Sequence, residues 1–487
     1  MSHKGFMGKK RGIDPCAYVP GLYTEAEVDD LINNEGYIPV ATPEEFNLLP
    51  TGLAEHMGGC SKWAGNYTTG SNKKYVQIFD LDFEGMPDHL EMDVVNILYD
   101  GNRKEFIRME GESMFFEARA GSFMFEIKNM VIKNCHFEGI NKSVSVLLRS
   151  IADAPVRISN CDFIGITSSC TSTSGLPGSG IVVGALLNSL ILEDCHIENC
   201  QTDRSNTLAT GLFVGVMRNT DSHKLTVLNC SARNSTTSNT TKDCAVLFGG
   251  SDSTNIVACE IEINNLFVDS VTTLNFNNIN SALLFSGFRL NAAVSIKKLT
   301  IKDCILPFGS DGRSCAILFG VQVDNGITDL EEIKIINSAV NVNGAGGSTQ
   351  AAGIVCGFFF SGTLNIKNIQ IDSKSFARGR TQSAGIIGDK RNGVVNIENS
   401  YSAAEIHPSP QSGGLIGAIT GSGSVNITDT YWDTVTSGQS VSAGGGTGQT
   451  TSQLQTPTSN TGIYSAWTIP PWDFGTASEY PTLTTTP

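Results

Sequence analysis

The chain has 487 residues, of which 17 % are charged and 51 are glycine, and its formal net charge is −15. So anionic a chain has no large phosphate-binding face, which excludes nucleic acid as a partner. The longest apolar run, around Ile354–Phe360, is far shorter than the ~20 residues of a membrane span, so no membrane span is expected. Abundant Gly, Asn, Ser and Thr disfavour helices and favour short strands joined by tight turns, so the expected class is all-β.

In chain order, residues 1–34 read as an N-terminal arm. Its first part, Met1–Cys16, is basic and lacks the apolar stretch of a secretory signal. Thr24–Asn33 reads as a short amphipathic helix with Thr24 as N-cap and an acidic first turn. Residues 35–125 are expected to form an N-terminal cap and first coils, and 126–430 a regular solenoid. Residues 431–487, with three of the four tryptophans, are expected to form a C-terminal cap. Aromatic caps cover the open sheet edges that a solenoid would otherwise expose at its ends.

The solenoid is read from a repeat. Gly180-Ile-Val-Val-Gly184, Gly211-Leu-Phe-Val-Gly215, Ala245-Val-Leu-Phe-Gly249 and Ala282-Leu-Leu-Phe-Ser286 are related to one another. So are Ala316-Ile-Leu-Phe-Gly320, Gly353-Ile-Val-Cys-Gly357, Gly385-Ile-Ile-Gly388 and Gly414-Leu-Ile-Gly417. Their last residues lie 31, 34, 37, 34, 37, 31 and 29 apart, a solenoid period with loops of variable length.

A second motif runs in phase with the first: apolar, any, Asn or Asp, then Cys, Ser or Thr, any, apolar. Its copies contain Asn134-Cys135, Asn160-Cys161, Asp194-Cys195, Asn229-Cys230, Asp303-Cys304, Asn337-Ser338, Asn368-Ile369, Asn399-Ser400 and Asp429-Thr430. The gap between Asn229 and Asp303 hides about two coils, with Ala258-Cys259 and Leu274–Asn278 as imperfect copies. Asn and Asp tolerate left-handed backbone, so each marks a corner, and the residue after it points inward. The pattern predicts a single-stranded parallel β-helix with one Asn/Asp corner column and a second corner at the glycines ending the Gly-Leu-x-Gly strands, where close packing or positive φ is wanted. It also predicts one inward ladder of Cys135, Cys161, Cys195, Cys230 and Cys304, continued by Ser and Thr. Because Ser and Thr fill the same positions, free buried thiols are expected rather than disulfides. No Cys-x-x-Cys pair or His/Cys cluster has metal spacing, and no cofactor or metal is expected.

These Gly-Leu-x-Gly blocks resemble the GLUG-repeat proteins of bacterial surface adhesins, and the likeness covers most of the chain. Tyr37–Leu48, Lys74–Asp82 and Tyr99–Asn102 are similar to that family's N-terminal landmarks. The most specific part is terminal: Tyr431-Trp-Asp-Thr434, Thr436-Ser-Gly-Gln439, Gly462-Ile-Tyr464, Trp467, Trp472-Asp-Phe-Gly-Thr476 and Tyr480-Pro481. Ile469-Pro470-Pro471 stands where the family's block often carries an Asp/Asn-rich insert, which removes the basis for a calcium loop.

Three functions are weighed. The first is a virion tail spike or fibre whose arm, residues 1–34, attaches to other virion proteins while the β-helix meets a host surface glycan. The second is a bacterial adhesin at the cell surface. The third is a polysaccharide depolymerase, a glycoside hydrolase or lyase. Outward positions after the Asn corner carry His136, Glu138, Asp162, His196, Glu198, Glu260 and Glu262, and in later coils Tyr401 and Tyr431. In register these make a surface-binding stripe, and two carboxylates about 5 to 9 Å apart are what glycosidic hydrolysis takes. A solvated strand face is the simpler reading of the stripe, and a packed face beneath a cap that of the tyrosines. No catalytic residue is assigned, the non-enzymatic virion function is expected, and by analogy with such spikes the assembly is a homotrimer.

Overall fold

The computed structural model describes residues 17–47, 49, 55–56, 63, 65–66, 73–86, 92–94, 97–118 and 125–484. Within the last of these it omits 141, 152–153, 172–177, 206–209, 218–222, 239–243, 250–258, 275–279, 291–292, 309–313, 325 and 343–350. The architecture is the expected parallel β-helix. A typical coil holds a long strand, Leu190–Glu198, then Gln201–Ser205, Thr210–Gly211 and Val214–Met217. Each pairs in parallel with its counterpart one coil away. The ladder of long strands runs unbroken from Ile38–Val40 to Ser424–Thr428.

The long strand is bent. In Leu190–Glu198, Leu190 and Leu192 point inward, Glu193 and Asp194 outward, and Cys195 and Ile197 inward again. Side chains alternate along a strand, so two successive outward residues need a phase reset. Asp194, at φ 51°, supplies it. Five residues on, Asn199 at φ 54° turns the chain again.

The coil therefore has two left-handed corners of the Asn/Asp type, where the sequence pattern predicts one. Asn129, Asn160, Asp194, Asn229, Asn265, Lys298, Glu332, Asn368, Asn399 and Asp429 form the first column. Arg108, Asn134, Gly165, Asn199, Asn234, Ser270, Asp303 and Asn337 form the second. Both corners carry the same local signature, so a search on the motif merges them. The stacked amides do bond along the columns: Asn160 Nδ2 donates to Asn129 Oδ1 at 2.7 Å, and Asn265 Nδ2 to Asn229 Oδ1 at 3.0 Å. Asn160→Val is expected to lower stability by about 2 kcal/mol, because a β-branched residue resists left-handed backbone. Asn160→Gly, which keeps the conformation and loses only the side-chain contacts with Asn129 and Arg103, is expected to cost about 1 kcal/mol. Guanidinium unfolding of both variants checks this.

The single cysteine ladder divides in the same way. Cys161 and Cys195 are in register beside the first corner, with Cys230 next, and Leu266, Leu299, Ile333 and Ile369 continue the column. Cys135 and Cys304 belong to the second corner, in a column with Ile166, Cys200, Ser235 and Ser338. All of these thiols are buried and free. The side chain of Cys259 lies outside the described residues.

The Gly-x-x-Gly blocks turn the chain at a further bend, where a corner is expected at their glycines, and the turn lies inside the block rather than at its ends. Gly180 ends Ser179–Gly180, Ile181 and Val182 turn the chain, and Gly184 lies in Val183–Leu186. A Cβ on Gly180 would sit 2.1 Å from Val183 O, and one on Gly215 2.6 Å from Gly184 O. Close approach of neighbouring backbones, not positive φ, selects glycine there. Behind this bend the rings of Phe213, Phe248, Phe285 and Phe319 stack with centroids 5.5, 5.3 and 5.8 Å apart.

At the N-terminal end the expected helix spans Glu25–Asn33, with Thr24 and Glu27 forming a capping box. The helix and its lead-in rest on the first coils. Tyr23 OH donates to the fully buried Asp100 at 2.9 Å, Lys128 Nζ reaches the same carboxylate at 3.3 Å, and Leu22 N donates to Asn102 O. Residues 1–16 of the proposed attachment arm lie outside the described residues.

The C-terminal block does more than close the end. Tyr431–Asp433 pairs with Thr447–Gln449, and Trp432 lies against Gly414. From residue 450 the chain turns back and lies as a strap along the flank between the two corners. Trp467 Nε1 donates to Asp429 O (2.9 Å), Trp472 Nε1 to Asn368 Oδ1 (3.0 Å) and Leu483 N to Gln370 Oε1 (2.8 Å), and Lys334 Nζ donates to Leu483 O (3.1 Å). The strap reaches back over four coils and forms a second core of Tyr401, Tyr431, Leu454, Tyr464, Trp467, Trp472, Phe474 and Leu483.

Candidate functional site

Two outward rows run along the flank between the corners. Two residues past the first corner stand Asp162, His196, Ser231, Phe267, Thr300, Lys334, Gln370, Tyr401 and Tyr431. Two residues further stand Ile164, Glu198, Arg233, Asp269 and Lys302. The strap covers the C-terminal half of this flank. The half before it is open and holds a groove of about 420 Å³ lined by His196, Glu198, Asn229, Ser231, Arg233, Asn265 and Phe267.

The expected surface stripe does not form as one feature. Asp162, His196 and Glu198 share the flank, but Arg103 engages Asp162 in an ion pair. His136 and Glu138 lie on the next face, past the second corner, where His136 Nδ1 meets Thr167 Oγ1 at 2.6 Å and Nε2 stands 3.7 Å from Glu138. Glu260 and Glu262 lie before the first corner and share Lys224, at 3.2 and 2.7 Å. The Glu262 contact pushes the Lys224 ammonium pKa up. The stripe fails because two bends, not one, separate these positions.

Tyr401 and Tyr431 are not surface residues. They are 1 % and 7 % exposed beneath the strap, and Tyr401 OH donates to Pro481 O at 2.9 Å. Burial pushes both phenols above the usual tyrosine range. Sequence reasoning missed Ser231, Arg233, Phe267 and the corner amides, having searched for carboxylates. Their outward spacing after Asn229 and Asn265 was the available signal.

The groove's chemistry is specific. His196 Nδ1 and Ser231 Oγ are 2.9 Å apart. The Arg233 guanidinium lies 4.8 Å over the Phe267 ring. Its cross-strand neighbours are Glu198 and Asp269, yet among the described residues it forms no ion pair with either; Asp269 takes Lys302 at 3.6 Å instead. Hydrolysis of a glycosidic bond by the usual route takes two carboxylates, and Glu198 is the only one lining the groove. A Ser-His-carboxylate triad needs an acid behind the imidazole, and among the described residues His196 has none within ion-pair distance. The arrangement can donate and accept hydrogen bonds over an aromatic platform.

No family model matches the sequence, and no curated protein is significantly similar to it. Among solved structures, one from Bacteroides ovatus, provisionally named an immunoglobulin A1 protease, is 11 % identical with a TM-score of 0.33; the alignment covers 93 % of this chain and 94 % of that one.

Proposed function

We propose that the chain is a non-enzymatic attachment protein that presents its solenoid flank to a glycan on a host cell envelope, as a trimeric tail spike or fibre of a virion. The carrying observation is the open groove beside His196 and Phe267, which has hydrogen-bonding groups and an aromatic ring but a single carboxylate. The alternative is a bacterial adhesin, favoured by the Gly-x-x-Gly blocks and the tryptophan-rich terminal block that resemble GLUG-repeat proteins. No helix among the described residues is long and apolar enough to cross a membrane.

Incubated with host surface polysaccharide, the protein is expected to bind it and leave its length unchanged. Release of shorter oligosaccharides, lost in Glu198→Ala, overturns the non-enzymatic reading in favour of a depolymerase. Copurification with phage particles supports the virion reading, whereas copurification with cell envelopes supports the adhesin. A monomer in analytical ultracentrifugation removes the trimer.

A further inference from the structure

Resting on the attachment reading, we infer that the groove takes an uncharged, extended oligosaccharide lying along the solenoid axis, about one sugar unit per coil. A second cavity of about 480 Å³ continues the first. It is lined by Asn229, Asn264, Asn265, Lys298, Glu332 and the strap residues Pro470, Pro471 and Thr484. Asn229 and Asn265 line both, so the two cavities adjoin at these amides and together make up the proposed channel. It spans the coils of Asp194, Asn229, Asn265, Lys298 and Glu332. At ~4.8 Å per coil that is roughly 19 Å, and the coil rise is close to the length of one pyranose in an extended chain.

Charge selects among polymers. Arg233 and Lys298 are balanced by Glu198 and Glu332 in the channel lining, two carboxylates four coils or roughly 19 Å apart and so too distant to act on one glycosidic bond, while the whole chain carries −15. An acidic polysaccharide would meet long-range repulsion with no local excess of cations to offset it. A hydroxyl-rich neutral chain finds carboxylate acceptors, amides, a guanidinium edge and the Phe267 ring at successive coils. The strap shows that an elongated chain can lie along this flank, but it is anchored by Trp467, Trp472 and Leu483 on an aromatic bed of Tyr401 and Tyr431. The open half offers Asp162, His196, Ser231 and Thr300 in that row, with Phe267 alone as an apolar contact. Its strands are paired on both sides by neighbouring coils, so a peptide finds no sheet edge to extend.

The test titrates the full chain with the β-1,4-linked tetramers cellotetraose, mannotetraose and chitotetraose, and with tetragalacturonate, by calorimetry. At least one neutral tetramer is expected to bind, with little dependence on salt. Arg233→Ala and Phe267→Ala are each expected to weaken it tenfold or more without lowering the melting temperature, and Lys224→Ala, outside the channel, is expected to leave affinity unchanged. Tighter binding of tetragalacturonate overturns the neutral assignment. Binding by none of the neutral tetramers, unchanged affinity in both channel variants, or displacement of the sugar by a synthetic peptide of residues 471–484 overturns the site. The attachment reading fails separately: it falls if the wild-type protein does not bind host cells, and it stands if cells are bound equally by wild type and both variants, in which case only the channel is wrong.

Discussion

Trp467→Ala is expected to release the C-terminal strap while the solenoid stays folded. Trp467 is 1 % exposed and packs on Trp472 (4.3 Å), Tyr464 (4.5 Å) and Tyr431 (6.0 Å), with its indole N–H on Asp429 O. Truncating a buried aromatic of this size costs about 3–5 kcal/mol. That loss falls on a satellite core, not on the main one, which is a separate set of inward residues from Ile38 to Trp432. Solenoid stability is largely a sum of local and nearest-neighbour terms, so damage at the flank stays local. Limited proteolysis of the variant is expected to cut between about residues 450 and 484 and leave a resistant body, with hydrogen exchange quickened around Gln370 and Tyr401. Unfolding of the whole chain in one step would show instead that strap and solenoid are a single cooperative unit.

Above pH 9 the protein is expected to lose stability steeply. Burial pushes the thiols of Cys135 to about 11, and of Cys200 and Cys304 to about 12, from an ordinary 9.0. The native state thus holds protons that the unfolded chain releases. For groups whose folded pKa is raised, the stabilisation is complete below the unfolded value and is lost as pH rises towards the folded one. At pH 10 each of these thiols favours unfolding by roughly 1.4 kcal/mol, so the three together cost about 4 kcal/mol of a typical 5–15. Urea unfolding at pH 8 and pH 10 measures the difference, and a triple Cys→Ser variant is expected to lessen it by about 4 kcal/mol, the rest coming from Cys195, Cys315 and the buried tyrosines, which burial also raises. The same burial makes native thiols unreactive. Nine of the thirteen cysteines are buried, so a thiol reagent at neutral pH is expected to modify at most the other four until denaturant is added.

The β-helix was legible because its cause is local and repeated: a left-handed Asn or Asp followed by an inward residue, in phase with Gly-x-x-Gly blocks every 29 to 37 positions. The number of corners was not legible. Lys298 and Glu332 sit at the first corner with φ 54° and 57°, and nothing in their residue type announces it; the coils above and below impose the conformation. Asn134, Asp303 and Asn337 stand at the second corner but share the first corner's signature, which merges Cys135, Cys304 and His136 with the first column. Glu260 and Glu262 follow the imperfect motif copy Ala258-Cys259 in sequence, but they precede their coil's corner at Asn265 and so lie on another face. The tryptophan-rich block was legible as a cap. Its return along the flank was not, because the partners of Trp472 and Leu483 lie 104 and 113 residues away in sequence. The burial of Tyr401 and Tyr431 follows from that return.

The strap also bears on how such a rod carries load. Tension along the axis strains the ladder bonds between neighbouring coils, and a bare end can peel one coil at a time. Here Lys334, Gln370, Tyr401 and Asp429, on four successive C-terminal coils, are tied to one crossing segment. Separating any two of those coils therefore stretches the segment as well. The C-terminal end is laced, and a pull on it is shared across several rungs before the first one opens.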